Sequence, residues 1–284
     1  MDTKKLHFLE EKAAEIRRLI IEGVYNAGSG HPGGSLSCAD IITYLYFDKM
    51  NVSADRAKDP DRDRFVLSKG HCAPALYAVL ALKGYFPVED LKLLRSIKGN
   101  MSGHPDMKYI NGVDMSTGSL GQGLSCAVGM ALGAKLAGKS FRTYAVCGDG
   151  EIAEGQIWEA AMAAAKWKLG NLCMVLDNNG LQIDGTNDEV MPSAPLDKKF
   201  AAFNWNVVTV DDGHDFAKLE AAFEAARACE DMPTVIIMKT VKGKGVSFME
   251  NNVGWHGKAP NDEQFATAKA ELEAAIAALE EEAK

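Results

Sequence analysis

Four of the six histidines in this 284-residue sequence stand in loops containing glycine or proline: His31 in GSGHPGG, His71 in SKGHCAP, His104 in SGHPD and His256 in GWHGKAP. One loop histidine is most often a structural hydrogen-bonding residue. Four of them gather a group that titrates near neutral pH, donates to phosphate or carbonyl oxygen, and moves protons among hydroxyls, as chemistry on a sugar requires. Loops at the end of a rigid sheet are where a scaffold carries such groups. Zinc is disfavoured, because no two of the four share the i, i+3 or i, i+4 spacing of a helical ligand pair. His7, on the first helix, and His214, in DDGHDF at a helix start, read as structural.

A second signal is Gly148-Asp149-Gly150-Glu151-Ile152-Ala153, which fits the G-x-G-x-x-A pattern of a dinucleotide-binding turn. The aspartate between the glycines conflicts with a pyrophosphate there. At about 4 Å the two charges repel by roughly 4 kcal/mol in an effective dielectric of about 20. Asn179 in Asp177-Asn178-Asn179-Gly180 lies 30 residues beyond Asp149, enough for a loop, a crossover helix and a strand. Asp149 and Asn179 therefore fall on neighbouring loops and offer hard oxygen ligands for magnesium or calcium, and a cation between carboxylate and phosphate makes both contacts attractive. The rival reading is a bare dinucleotide turn with Asp177 as the ribose-binding acid. It fits less well, since that acid is expected about 20 residues past the glycines and Asp177 comes 27 after Gly150.

Another glycine-rich stretch, STGSLGQGLSCAVGMALGAKLAG, places Gly118, Gly121 and Gly123 before or within the start of a small-residue helix, where free amides and close backbone approach are available. Gly129 and Gly133 read as packing glycines. The six cysteines form no C-x-x-C pair, and several lie in apolar runs as small hydrophobes. Cys72 follows His71, but adjacent residues seldom face each other, so it too reads as a reduced core thiol.

The elements that must position these residues follow from the apolar pattern. Residues 5–26 have helical spacing and break at NAGSGHPGG, a further helix is expected over about 37–48, and CAPALYAVLALKG reads as another. RFVLS (64–68), FRTYAVC (141–147), NLCMVLD (171–177), NVVTV (206–210) and TVIIMK (234–239) read as short buried strands. EGQIWEAAMAAAKWKL and DFAKLEAAFEAARAC, the latter capped by Asp215, supply crossovers, and an Ala/Glu-rich helix follows Pro260. The expected fold is α/β, an open, mainly parallel sheet with helices on both faces, in a single domain spanning 1–284.

The chain is 47% apolar with a net charge of −8, and no dense Lys/Arg stretch is available to track nucleic acid or an anionic membrane. The charged N-terminus lacks the apolar core of a signal peptide, and no apolar run approaches the roughly 20 residues of a membrane span. The expected location is cytoplasmic.

Taken in order, GSGHPGG, SKGHCAPALY, GHPD, STGSLGQGLS, CGDGEIAEGQIWEA, LDNNGLQIDG and GWHGKAP resemble the N-terminal, thiamine-diphosphate-binding domain of transketolases over nearly the whole chain. The resemblance implies thiamine diphosphate with magnesium (or calcium or manganese) bound by Asp149, Asn179 and the Leu181 carbonyl, and Gly150 and His71 near the diphosphate. It further implies that Gly118, Ser119 and Leu120 contact the aminopyrimidine and that His256 reaches both diphosphate and substrate. His31 and His104 would bind and polarise a ketose, and Glu154 would join a carboxylate network linking paired active sites. Ser119 replaces the proline of many relatives, which leaves the backbone contact usable.

A full transketolase continues into a pyrimidine-binding and a third domain, which supply the glutamate that activates the cofactor and most of the grip on a substrate phosphate. The chain thus resembles one subunit of a split transketolase, transferring a two-carbon ketol unit between sugars or sugar phosphates once joined by a C-terminal subunit, as a heterotetramer. The alternatives are a subunit of another thiamine enzyme, of 2-oxoacid dehydrogenase or deoxyxylulose-phosphate synthase type, a nicotinamide-binding oxidoreductase, and a non-catalytic binding module.

Overall fold

The computed structural model describes residues 1–282. All five anticipated strands are present: β1 (Arg64–Leu67), β2 (Thr143–Gly148), β3 (Leu172–Asn178), β4 (Asn206–Val210) and β5 (Thr234–Lys239). They form one sheet in the order β1-β2-β3-β5-β4, every pair parallel. The near-continuous apolar runs of the inner strands reflect burial on both faces. Tyr144, Val146, Cys173, Val175, Ile236 and Met238 face one core, whereas Ala145, Cys147, Met174, Leu176, Val235 and Ile237 face the other.

The helices in chain order are α1 (Thr3–Ala27), α2 (Pro32–Ser37), α3 (Ala39–Tyr44), α4 (Ala73–Leu82), α5 (Gln122–Leu136), α6 (Gly155–Lys166), α7 (Asn187–Val190), α8 (Leu196–Ala202), α9 (Phe216–Ala228) and α10 (Asp262–Glu282). Residues of α1, α3, α4, α9 and α10 fill the first core, and those of α5, α6 and α8 the second. Asp215 caps α9 as expected, its carboxylate accepting from the Ala217 and Lys218 amides. The C-terminal helix is fastened to the first by Tyr25 and Phe265, whose rings stack with centroids 3.9 Å apart. Among the described residues no helix is long and apolar enough to cross a membrane.

The expectation of a glycine loop followed by one helix over 37–48 is corrected. Helix begins at Pro32, which suits a first-turn position, breaks at Cys38, and ends in a π-helical turn over Leu45–Lys49. Gly33 and Gly34 serve close packing, since a Cβ on either would lie 2.8 Å from the Trp255 carbonyl oxygen or the Cys72 sulfur, respectively.

Candidate active site

In a parallel sheet the ligand crevice lies beyond the carboxyl ends of the strands, and that is where the two acidic loops meet. Gly148 of β2 is in register with Asp177 of β3, which sets the following residues side by side. Asp149 is 2% exposed. Its Oδ1 accepts from the Gly150 amide at 2.9 Å, and its Oδ2 accepts from the Gly180 amide at 2.6 Å and from Asn187 Nδ2 at 2.9 Å. The Gly150 amide is therefore turned to Asp149. Asn179 Oδ1 accepts from the Leu181 amide at 3.1 Å. Burial, with the Asp177 charge behind it, raises the Asp149 carboxyl above the usual carboxylate range. A cavity of about 290 Å³ opens here, and His71, Gly118, Leu120, Asp149, Gly150, Asn179, Leu181 and His256 all line it.

Three charged residues in the same wall were missed in the sequence. Lys69 and Asp177 form a fully buried ion pair, in which Asp177 also accepts from Ser37 Oγ at 2.5 Å and from Thr240 Oγ1. Burial disfavours the Lys69 charge, but Asp177 outweighs it and holds the ammonium well above its ordinary pKa. With its oxygens so engaged, Asp177 cannot be a ribose-binding acid. Lys242, 2% exposed, donates to the carbonyls of Leu181 at 3.2 Å and Gln182 at 3.1 Å. Glu151, 3% exposed, accepts from the amides of Gly121 at 2.8 Å and Gly148 at 3.0 Å and from the Ser68 hydroxyl. The Gly121 amide is thus not free, contrary to expectation. The close approach anticipated in this stretch occurs at Gly118, at φ 143°, where a Cβ would sit 2.9 Å from the His104 ring, and at Gly123, where it would sit 2.6 Å from the Ser68 Cα.

The four loop histidines converge. Ring centroids of His31 lie 5.3 Å from His71, 5.4 Å from His256 and 6.2 Å from His104, and His71 and His256 stack at 5.2 Å. Burial, then the neighbouring His71, lowers His31 to about 4, and burial, then Lys242, lowers His256 to about 3. Burial and the Arg95 charge lower His104 as well. The Nδ1 atoms of His31 and His256 are buried without a hydrogen-bond partner. Two neutral imidazoles with unpaired nitrogens can donate to, or accept from, a polar ligand. Arg95, at φ 57°, brings its guanidinium against Gly103, where a Cβ would be 2.7 Å away, and so stands beside His104.

The remaining predicted residues lie at the rim. Ser119 is exposed at the mouth. Glu154 is exposed at the start of α6, packed against Gly121, and does not line the cavity. Gly129 and Gly133 are not packing glycines within the chain, because a Cβ at either meets nothing within 4 Å. His214 is structural: its Nδ1 lies 2.6 Å from Asp40 and its Nε2 accepts from the Val241 amide at 2.9 Å. Cys72 is fully buried beneath the histidines, where Cys38, His71 and Lys69 overcome burial and draw its thiol well below the ordinary range.

Fold and site together define the class: an open α/β domain whose strand ends gather an acidic loop, buried lysines and loop histidines around one cavity. Residues 9–277 match the family model described as transketolase, thiamine diphosphate binding domain. The chain is 45% identical over 265 residues to the 6-deoxy-6-sulfo-D-fructose transketolase subunit SqwG of Clostridium sp. (strain MSTE9), covering 93% of this chain and 96% of that one. It is 42% identical over 274 residues to a subunit of the apulose-4-phosphate transketolase of Phocaeicola vulgatus, covering 96% and 97%. The crystal structure of Campylobacter jejuni transketolase superposes with a TM-score of 0.88 at 31% identity over 98% of this chain, which spans only 46% of that one. The chain belongs to the transketolase family, as its thiamine-diphosphate-binding domain.

The residues present fit that cofactor with a hard divalent ion. Asp149, Asn179 and the Leu181 carbonyl supply carboxylate, amide and peptide oxygens on one cavity wall, and Asn187 Oδ1 beside them is buried and unpartnered.

Proposed function

We propose that the chain is the diphosphate-binding subunit of a two-subunit transketolase, acting as a single domain and moving a two-carbon ketol unit from a ketose, or its phosphate, to an aldose. The observation that carries this reading is the histidine cluster beside the Asp149 cavity, with two buried nitrogens lacking partners. Asp149, Asn179 and the Leu181 carbonyl hold magnesium, and His71, Gly118, Ser119 and Leu120 hold the cofactor. When bound, thiamine diphosphate supplies the nucleophilic carbon and the electron sink for breaking a carbon–carbon bond next to a carbonyl. His31 and His104 bind the sugar and polarise its carbonyl, and His256 spans cofactor and substrate. Each imidazole, kept neutral by burial or by nearby cations, donates at one nitrogen and accepts at the other as hydroxyl protons move.

A second polypeptide closes the site. Leu120 and Ile183 are exposed while lining the cavity, and Met191, whose carbonyl accepts from Gln182 Nε2 at 3.1 Å, is exposed beside them; this apolar rim suits a partner carrying the pyrimidine-binding half. Glu154 at the cavity edge and the open glycines of α5 outside the cavity wall suit pairing of two such units into a heterotetramer. The six free thiols fit a cytoplasmic location. To test the assignment, the chain is purified, its folding confirmed by circular dichroism, and ketol transfer assayed with magnesium and thiamine diphosphate while the partner is titrated. Silence that ends near equimolar partner is expected. Substantial turnover by the chain alone would overturn the shared-site reading.

A further inference from the structure

The Leu181 carbonyl, one of the three oxygens assigned to the cation, is already taken. Lys242 Nζ donates to it at 3.2 Å and to the adjacent Gln182 carbonyl at 3.1 Å, so one ammonium bridges two successive peptide oxygens. The side chain is 2% exposed and lines the same cavity as Asp149 and Asn179. Other sinks for its charge are closed: Asp177 is paired with Lys69, and no carboxylate lies within ion-pair distance of Lys242 among the described residues. The ammonium therefore supplies what a metal ion would, positive charge next to Asp149 and a cross-link between the loops after β3 and β5.

We propose that Lys242 is a tethered counter-ion that holds the cation site in its loaded shape and is exchanged for the divalent ion at the Leu181 carbonyl when the site fills. This rests on the cation site proposed above. Two cations cannot share one carbonyl at bonding distance in a buried wall without strong repulsion, so the lysine must leave that oxygen as the metal arrives. The exchange has a direction that distinguishes it from ordinary support of the loop. A lysine that merely braced residues 181–186 would help the metal bind, whereas a competing ammonium weakens metal binding and its removal strengthens it.

The test uses the purified full chain and Mn2+ alone, followed by electron paramagnetic resonance, in wild type, Lys242→Met and Lys242→Gln. Lys244→Met, which deletes a charge two residues away outside the cavity, sets the through-space contribution. We expect Lys242→Met to bind one Mn2+ at least about tenfold more tightly than wild type and than Lys244→Met. Lys242→Gln, which keeps a donor without the charge, should fall between, and adding Asp149→Ala to Lys242→Met should abolish binding. In a structure with Mn2+ bound, Nζ should lie beyond hydrogen-bonding range of Leu181. Equal or weaker Mn2+ binding by folded Lys242→Met, with binding still dependent on Asp149, would overturn the exchange and leave the cation site intact. Binding that ignores Asp149 in every variant, or no binding in any, would remove the cation site and this inference with it.

Discussion

Asn187 reaches back 38 residues to donate its side-chain amide to Asp149 Oδ2 at 2.9 Å. The short helix α7 is thereby fastened to the carboxylate at the centre of the site, and the Asn187 backbone amide in turn donates to the Gly180 carbonyl at 3.0 Å. Removing the side chain should release the loop from the site. A hydrogen bond to a charged group is worth about 1.5–3 kcal/mol. Asn187→Ala is expected to raise hydrogen exchange across residues 180–191 while leaving that of the inner strands unchanged. Unaltered protection of the loop would show that the contact holds nothing.

Asp149 faces a diphosphate only if a cation stands between them. Affinity for thiamine diphosphate in the assembled complex should fall sharply on chelation, and Asp149→Ala or Asn179→Ala should weaken binding by about a hundredfold or more, in keeping with the roughly 3–5 kcal/mol lost when a buried charge loses its partner. Titration calorimetry with and without chelator decides this. Equal affinity in both conditions would restore the bare glycine turn.

The lowered histidines carry a pH signature. His31 takes a proton near pH 4 and His256 near pH 3 in the folded chain, against about 6.5 when unfolded. Between those limits the unfolded chain binds more protons, so these two residues make stability rise with pH up to about 6.5 and level off above it. Buried Asp149 and Glu151, with raised pKa, slope the other way. The difference between wild type and a His31→Gln/His256→Gln variant isolates the histidine part. Denaturant midpoints measured from pH 4.5 to 7.5 should show the variant losing less stability than wild type as pH falls. Parallel curves would contradict the lowered values.

Gly129 and Gly133 are exposed on α5, where an added side chain would meet open space, and Glu159 and Met162 are exposed on α6, which packs against α5. If two units pair across this face, a bulky side chain there costs about 1–3 kcal/mol of overpacking at the contact and nothing within the chain. Gly133→Leu should then lower the mass of the assembled complex in light scattering, while the isolated chain is at least as stable as wild type, since leucine is the better helix former. An unchanged mass would place the contact elsewhere.

The legible parts of this protein were those fixed by local pattern. Strands such as Leu172–Asn178 and Thr234–Lys239 are apolar along their length because both faces are covered, and the spacing of Asp149 and Asn179 follows from one strand-helix-strand unit. What escaped notice depends on long reach or on distant neighbours. Lys69 and Lys242 act at the ends of long side chains, though Lys242 lies in a Lys-Gly-Lys-Gly run whose Gly243, at φ 83°, hinted at a constrained turn. Gly33 and Gly34 signal a loop in isolation, yet contact with Trp255 and Cys72 makes them helical. Glu151 fits an ordinary helix start and reveals its role only once Gly121 is folded against it.

The two halves of the site differ in how far along the chain they must be gathered. Asp149 and Asn179 are 30 residues apart, each just past the end of one of two adjacent strands, whereas His31 and His256, with rings 5.4 Å apart, are separated by 225. Contacts between distant residues close large loops and tend to form late. A chain still emerging from the ribosome, with β2 and β3 complete but residue 256 not yet made, can present its acidic loops long before the histidine wall is assembled. A cation held by Asp149 and Asn179 would therefore report that a local unit has formed, while an intact histidine cluster certifies that almost the entire chain has reached its place.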